Sequence, residues 1–328
     1  MAALALPLAQ ALCVTAIAAV FSFGLCRLMM KTGVVDAPDE DRKLQAAPVP
    51  RLGGAAILAT LVLLGPAALI TLAPGSMASP DPHKLSGLGV IVIVSAAIGL
   101  WDDIAAVPTR LKLALLLAAS LGAAGLGLHA EVVQLPWGET RLPAILILGS
   151  AAWLLVMTNA VNFMDGSNGL AVGSLMIMFT GLAVAGTATG HMALSLGWFA
   201  VIGACLGFLA LNLRGKIFAG DAGALGLGSL FAGLGLLSGL DIWTVATLAL
   251  PFLADVLMTL VWRARRGESW LQPHLDHTYQ NLLKRGWSHI ETALLYWGLA
   301  AACSVAAYVA ARAGGAVPFV TFCGLLIA

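Results

Sequence analysis

LSGLGVIVIVSAAIGLWDDI, residues 85–104, is the stretch that decides the fold. No charged side chain interrupts it before Asp102 and Asp103, which stand side by side near its end. About 20 apolar residues in a helix span the hydrocarbon core of a bilayer. The stretch therefore predicts a transmembrane helix that ends at one membrane surface in a pair of carboxylates.

Apolar segments of similar length run through the whole chain. The 328 residues are 60% hydrophobic and only 10% charged, whereas soluble domains carry about 25% charged residues. Spanning segments are predicted near 4–28, 53–74, 85–101, 112–129, 143–160, 169–188, 192–213, 222–240, 242–262 and 290–312, with a shorter run at 316–328. The predicted fold class is an all-α polytopic membrane protein of about 10 to 11 transmembrane helices. We expect residues 1–328 to form a single domain with cytoplasmic active-site loops.

The basic residues predict the orientation of these segments. No Lys or Arg precedes the first apolar run, so the basic start of a cleaved signal peptide is missing. Arg27 and Lys31 follow that run, which places the N-terminus outside because cytoplasmic loops collect Lys and Arg. Of the 17 Lys and Arg residues, only Lys84, Arg141 and Arg312 then fall on the outer face.

The predicted outer loops contain few residues typical of a catalytic or binding site. Residues 130–142 place alternating apolar positions around a Pro-Trp-Gly turn, which predicts a small external hairpin. The net charge of +1 gives no electrostatic reason to bind nucleic acid. The candidate functional residues therefore lie in the loops that the charge pattern places in the cytoplasm.

Four carboxylates stand out in those loops: Asp102, Asp103, Asp165 and Asp221. Acidic residues at a membrane edge resist desolvation and are rare unless they have a cation or a function. A solvated helix end is the alternative for the adjacent pair. Together, four carboxylates on one face predict a site for Mg²⁺, which prefers oxygen ligands. Mg²⁺ in turn suits a diphosphate substrate because it neutralises phosphate charge.

Basic and histidine side chains accompany the carboxylates. The candidates for phosphate binding are Arg42, Lys43, Arg51 and Lys216, and positive-inside topology alone is the alternative for each. His274 and His277 are three residues apart, so on a helix they would share a face and bind phosphate or metal. Asp255, inside the ninth segment, is interpreted as a buried polar partner of other helices rather than a catalytic group.

Five loop motifs resemble those of the polyprenyl-phosphate N-acetylhexosamine-1-phosphate transferases. They are a D-x-P…R-K…P…G-G pattern (Asp36, Pro38, Arg42, Lys43, Pro50, Gly53, Gly54), an Asp-Asp pair (Asp102, Asp103), an N-x-x-N-x-x-D-G-x-x-G-L motif (Asn159, Asn162, Asp165, Gly166, Gly169, Leu170), a V-F-M-G-D-x-G variant (Ile217 to Gly223) and an H-R-x-H-x-x-Q variant (His274, His277, Gln280). This superfamily includes bacterial initiators of O-antigen and teichoic acid linkage and the phospho-MurNAc-pentapeptide translocase. The resemblance extends from the first helix to about residue 290.

The resemblance implies a catalytic and metal-binding set. Asp221 would be the prime Mg²⁺ ligand, with Asp102 beside it and Mn²⁺ as the substitute ion. Asp102 and Asp103 would bind or deprotonate a lipid phosphate. Asp165 would act on the nucleotide side of the substrate, and His277 would hold the diphosphate.

The resemblance also implies a substrate-binding set. Lys43 would hold the diphosphate with Arg42 and His274 as further contacts. Asn162 would contact the nucleotide, and Phe218 would stack on uracil. The implied partners are a UDP-N-acetylhexosamine, undecaprenyl phosphate and the bilayer of the bacterial inner membrane, and relatives make a homodimer plausible.

Several positions depart from the family pattern. Gln45 replaces a common His, Ala219 replaces Met, Leu275 replaces Arg, and Gln280 stands where other members have a final His. The segment before Asp221 is shorter than in some relatives, so Asn212 receives no role. These departures avoid the central acids and therefore concern the sugar and the subfamily more than the reaction.

The predicted reaction is transfer of a sugar 1-phosphate from a UDP-N-acetylhexosamine to undecaprenyl phosphate, releasing UMP. Direct attack by the lipid phosphate is favoured over a covalent aspartyl intermediate. A secondary transporter of a small anionic or sugar solute is the alternative class, but transporters place their binding groups near the midplane of the bilayer. A relative that has lost activity is the second alternative, and retention of the four aspartates argues against it.

Overall fold

The chain folds as a bundle of α-helices. The computed structural model describes residues 2–36, 48–68, 81–191, 195–269 and 274–328. Arg42 and Lys43, both predicted to bind substrate, lie outside the described residues. The all-α fold class is confirmed, because the only strands in the described ranges form two short antiparallel pairs.

The element bounds follow the hydrophobic segments closely. The helices are α1 (Ala2–Met29), α2 (Gly53–Ala68), α3 (Pro82–Ile104), α4 (Thr109–Gly125), α5 (Pro143–Met164), α6 (Leu170–Ala188), α7 (Leu196–Asn212), α8 (Gly220–Leu237), α9 (Ile242–Leu248), α10 (Leu250–Arg265), α11 (Thr278–Lys284), α12 (His289–Ala313) and α13 (Val317–Ile327). The strands are β1 (Val35–Asp36), β2 (Val49–Pro50), β3 (Val133–Leu135) and β4 (Gly138–Thr140). The antiparallel pair β3–β4 confirms the hairpin predicted for residues 130–142.

Six described helices are long and apolar enough to cross a membrane, and the bent pair α9–α10 would make a seventh. The spanning segment predicted at 242–262 is divided into two helices in the structure, because α9 and α10 meet at an angle of 82°. Pro251 stands in the first turn of α10. Proline has no N–H to donate, and its ring clashes with the carbonyl four residues earlier, so it ends α9 and begins a new helix.

Helix α8 lies at the centre of the bundle between α2, α3 and α5. Its sequence, GDAGALGLGSLFAGLGLL, is rich in small residues, which let helix backbones approach closely in a bilayer. A Cβ added to Gly54 of α2 would lie 2.1 Å from the Cα of Gly223. A Cβ added to Gly99 of α3 would lie 2.3 Å from the carbonyl oxygen of Asp221. These close approaches bring the start of α8 against α2 and the end of α3.

We expect Gly54→Ala to destabilise the bundle. The new methyl group meets backbone atoms of α8, which cannot move aside as a side chain can, so α2 and α8 must separate. Overpacking of this kind costs about 1–3 kcal/mol. The matched control is Gly89→Ala in α3, where nothing lies within 4 Å of the added Cβ. Thermal unfolding in detergent should show a lower midpoint for Gly54→Ala alone, and equal midpoints would contradict the packing argument.

Candidate active site

The N-terminus of α8 is capped by a residue from another helix. The first N–H groups of a helix lack partners within it, and α8 has no side-chain cap of its own. Asp103, at the end of α3, accepts from the N–H of Asp221 at 3.1 Å and from that of Ala222 at 3.0 Å. Its side chain is only 1% exposed. Asp103 thus fixes where α8 begins, and with it the position of Asp221.

Arg51 neutralises the capping carboxylate. Its Nε lies 3.2 Å from Oδ1 of Asp103, and its Nη2 donates to the backbone carbonyl of Asp102 at 2.9 Å. Its Nη1 lies 3.3 Å from Oδ1 of Asp36 in β1. The guanidinium therefore joins the β1–β2 strand pair to the end of α3. Its role as a phosphate ligand stays a prediction.

Lys112 of α4 bridges two of the predicted metal ligands. Its Nζ lies 3.1 Å from Oδ2 of Asp102 and also pairs with Oδ2 of Asp221. The other oxygen of Asp102 accepts from the N–H of Val107 at 2.7 Å. All three charged side chains remain partly exposed, Asp221 the most at 30%. Two carboxylates thus converge on one position that holds a positive charge.

A cavity of about 300 Å³ opens beside these acids. Asp165, at the C-terminal end of α5, lies on its wall with Asn168, Phe218, Gln280 and His289. Burial raises the pKa of the Asp165 carboxyl well above its usual range, and the negative charges of Asp221 and Asp103 raise it further. The cavity therefore combines an aromatic ring, amide side chains and a carboxyl group that resists ionisation.

Asn212 at the end of α7 holds two walls of this cavity together. Its Oδ1 accepts from the N–H of Gly169 at 2.7 Å, and its Nδ2 donates to the carbonyl of Ile217 at 2.8 Å. Gly169 adopts φ +80°, a conformation that favours glycine. Asn212, which received no role from the sequence, thus fixes the turn after α5 against the loop that carries Phe218.

His277 is held by Asp255 rather than lying open to solvent. Its Nδ1 lies 3.0 Å from Oδ1 of Asp255, and the two side chains are 3% and 2% exposed. The interpretation of Asp255 as a buried polar partner is confirmed. His274 and His277 precede α11 rather than lying on one helix face, yet their rings are 5.1 Å apart. Burial lowers the pKa of the His274 imidazole.

The structure thus gathers most of the predicted residues at one end of the bundle. Asp102, Asp103 and Asp221 form one cluster, which we call the acid cluster. Asp165 and Phe218 line the neighbouring cavity. Asn162 lies in the last turn of α5, where its carbonyl accepts from the N–H of Asp165 at 3.3 Å. The roles assigned to these side chains stay predictions.

The sequence did not predict three contacts of this site. They are Lys112 between the carboxylates, Asn212 across the cavity and Tyr279 beneath Gly166. The only signal for Lys112 was a lysine in the first turns of an apolar helix, which positive-inside topology explains equally well. In the described ranges, no three His, Cys, Asp or Glu side chains are grouped to hold a metal ion. A metal here would rest on two carboxylates and on its substrate.

The sequence is similar to known transferases. Residues 85–239, which run from α3 to α8, match the family model for glycosyl transferase family 4. The chain is 31% identical over 320 residues to decaprenyl-phosphate N-acetylglucosaminephosphotransferase of Mycolicibacterium smegmatis, covering 86% of this chain and 77% of the relative. It is 26% identical over 298 residues to a probable undecaprenyl-phosphate N-acetylglucosaminyl 1-phosphate transferase of Bacillus subtilis, covering 86% and 79%. Phospho-N-acetylmuramoyl-pentapeptide-transferase of a Synechococcus species is 28% identical over 279 residues, covering 78% and 77%.

Proposed function

This chain belongs to glycosyl transferase family 4, and on that premise we propose that it transfers a sugar 1-phosphate from a UDP-N-acetylhexosamine to undecaprenyl phosphate. The observation that carries the proposal is the convergence of Asp102 and Asp221 on one cationic position beside a cavity. The transporter alternative lacks support, because the acids lie at helix ends rather than along a path through the bundle.

The acid cluster fits Mg²⁺ or Mn²⁺. Mg²⁺ is held in such sites by one or two carboxylates, with waters and substrate phosphates completing its shell. Asp102 and Asp221 already direct one oxygen each to the Nζ of Lys112, so a cation is accommodated between them. These two residues would hold the ion. When bound, the ion would neutralise the charge that develops on the diphosphate.

The cavity fits the nucleotide side of the donor. Ligand pockets combine an apolar surface with a few placed polar groups. Phe218 offers a ring for stacking, and Asn168 and Gln280 offer amide donors and acceptors on the same wall. A uracil stacked on Phe218 would direct its diphosphate toward the acid cluster. Lys43, Arg42 and His274 are the proposed further contacts to that diphosphate, whereas His277 is buried against Asp255 and does not line the cavity.

The acceptor reaches the acid cluster from the bilayer. The side chains of Trp101 and Ile104, on either side of the Asp pair, are 48% and 66% exposed. Exposed apolar side chains at the end of an apolar helix suit contact with lipid. A polyprenyl chain lying along this surface would bring its phosphate beside Asp102. We place this end of the bundle at the cytoplasmic side of the inner membrane, where the basic loops and the water-soluble donor meet.

The chemistry then rests on position and charge. An oxygen of the lipid phosphate attacks the sugar-bearing phosphorus, a new phosphoanhydride bond forms, and the bond to UMP breaks. Asp103 holds the start of α8 in place, and Lys112 offsets negative charge near the attacking phosphate. Holding both substrates in line accelerates such a transfer without a covalent enzyme intermediate.

We expect purified protein in detergent to release UMP only when undecaprenyl phosphate, a UDP-N-acetylhexosamine and Mg²⁺ are all present. The lipid-diphospho-sugar should appear in equal amount, and EDTA should remove both products because the two carboxylates alone leave the diphosphate charge unneutralised. A panel of UDP-sugars would identify the donor. UMP release without a lipid product, or no UMP from any donor with folded protein, would contradict the proposal.

A further inference from the structure

Asp255 in α10 holds three consecutive residues at the start of α11. Its Oδ1 lies 3.0 Å from Nδ1 of His277 and accepts from the N–H of Thr278 at 3.0 Å. Its Oδ2 accepts from the N–H of Tyr279 at 3.4 Å and from the hydroxyl of Tyr296. The carboxylate is buried, and unpaired buried carboxylates are costly. So many donors on one group fix the start of α11 to α10 and α12.

Tyr279 connects the start of α11 to the wall of the cavity. Its side chain is buried, and its hydroxyl donates to the carbonyl of Phe163 at 3.0 Å. The same hydroxyl lies beneath Gly166, where an added Cβ would be 2.2 Å from its oxygen. Gln280 Nε2 donates to it at 3.2 Å. Burial raises the pKa of the Tyr279 phenol above its usual range, so the hydroxyl stays a donor.

The turn that Tyr279 contacts is held at its far end by Asn212 and at Ser167 by His289, and Tyr279 supports it at Gly166. It carries Asp165, whose carboxyl is desolvated and repelled by Asp221 and Asp103. The turn is not helical, and its glycine at position 166 leaves its backbone free to move. Tyr279 packs directly against Gly166, next to Asp165, so we expect loss of its hydroxyl to loosen the backbone that carries Asp165.

We propose that Asp255 and Tyr279 are positioning residues: Asp255 fixes the start of α11, and Tyr279 thereby fixes the turn of residues 165–167 that carries Asp165. Neither side chain lines the cavity. The inference deepens the proposed transferase function and rests on it, because it concerns the geometry of the same site. It links the loop before α11 to the nucleotide side of the cavity.

The test compares Tyr279→Phe and Asp255→Asn with the wild type and with Tyr308→Phe. The chain has 3 tyrosines, and Tyr308 lies further along α12, roughly 30 Å from the helix start. Tyr279→Phe removes one hydroxyl and keeps the ring, so it tests the contact even where Asp255→Asn fails to fold. Hydrogen exchange of the peptide covering residues 163–170 reports the turn directly, and kcat and KM report the reaction.

Loss of one hydrogen bond should speed exchange in this peptide about tenfold and lower kcat about tenfold in Tyr279→Phe. The KM for the lipid phosphate should stay unchanged, since the turn faces the nucleotide, and Tyr308→Phe should match the wild type. Unchanged exchange, or faster exchange with undiminished kcat, would overturn the inference. If the wild type transfers no sugar phosphate, the proposed function fails, while the exchange comparison still decides whether Tyr279 holds the turn.

Discussion

Asp221→Asn should lower UMP release about 100- to 1,000-fold, the loss seen when a group that stabilises transition-state charge is removed. Asp221 directs Oδ2 to the cationic position of the acid cluster, and its backbone N–H is held by Asp103. Asparagine keeps the size of the side chain and the backbone contact but loses the negative charge. We therefore expect folding to be retained while the proposed metal ligand is lost.

Two measurements separate this outcome from a general loss of structure. Mg²⁺ should raise the thermal unfolding midpoint of the wild type by binding the folded state, and it should not do so in Asp221→Asn. The matched control is Asp241→Asn at the N-terminus of α9, where the side chain caps the N–H of Trp243 and asparagine caps equally well. Unchanged UMP release in Asp221→Asn would refute the assignment of Asp221 as the metal ligand.

The features that depend on local pattern could be predicted from the sequence. The apolar run that ends at Asp102 and Asp103 predicted α3, and alternation around a Pro-Trp-Gly turn predicted the β3–β4 hairpin. Hydropathy averages over a window, so it treated 242–262 as one span. The break was nevertheless marked by Pro251, whose missing N–H decides where α10 begins.

The contacts that build the site could not be predicted, because they join distant parts of the chain. Asp103 accepts a hydrogen bond from Asp221, 118 residues later in the chain, and the hydrogen bond from Tyr279 to Phe163 spans 116 residues. No local propensity encodes such pairs. The family resemblance identified the acids that converge. It did not identify Lys112, whose ammonium reaches Asp102 and Asp221 because α4 packs beside α3 and α8.

Lys112→Met should destabilise the protein when Mg²⁺ is absent and make it depend more strongly on that ion. Methionine keeps the unbranched stem but removes the ammonium, which leaves Asp102 and Asp221 facing each other without a cation. Breaking a fully buried ion pair costs about 3–5 kcal/mol. Because these side chains are partly exposed, solvent screening reduces the expected loss to about 1–3 kcal/mol.

The response to Mg²⁺ distinguishes this effect from simple loss of packing. The ion should raise the unfolding midpoint of Lys112→Met more than that of the wild type, because it no longer competes with the lysine for the two carboxylates. The matched control is Lys84→Met, since Lys84 pairs with Glu131 at 2.6 Å but that glutamate is 73% exposed. Surface pairs contribute about 0–1 kcal/mol, so neither stability nor the Mg²⁺ response should change there. Equal unfolding midpoints and equal Mg²⁺ responses in Lys112→Met and the wild type would show that the Lys112 ammonium does not occupy the position where Mg²⁺ binds.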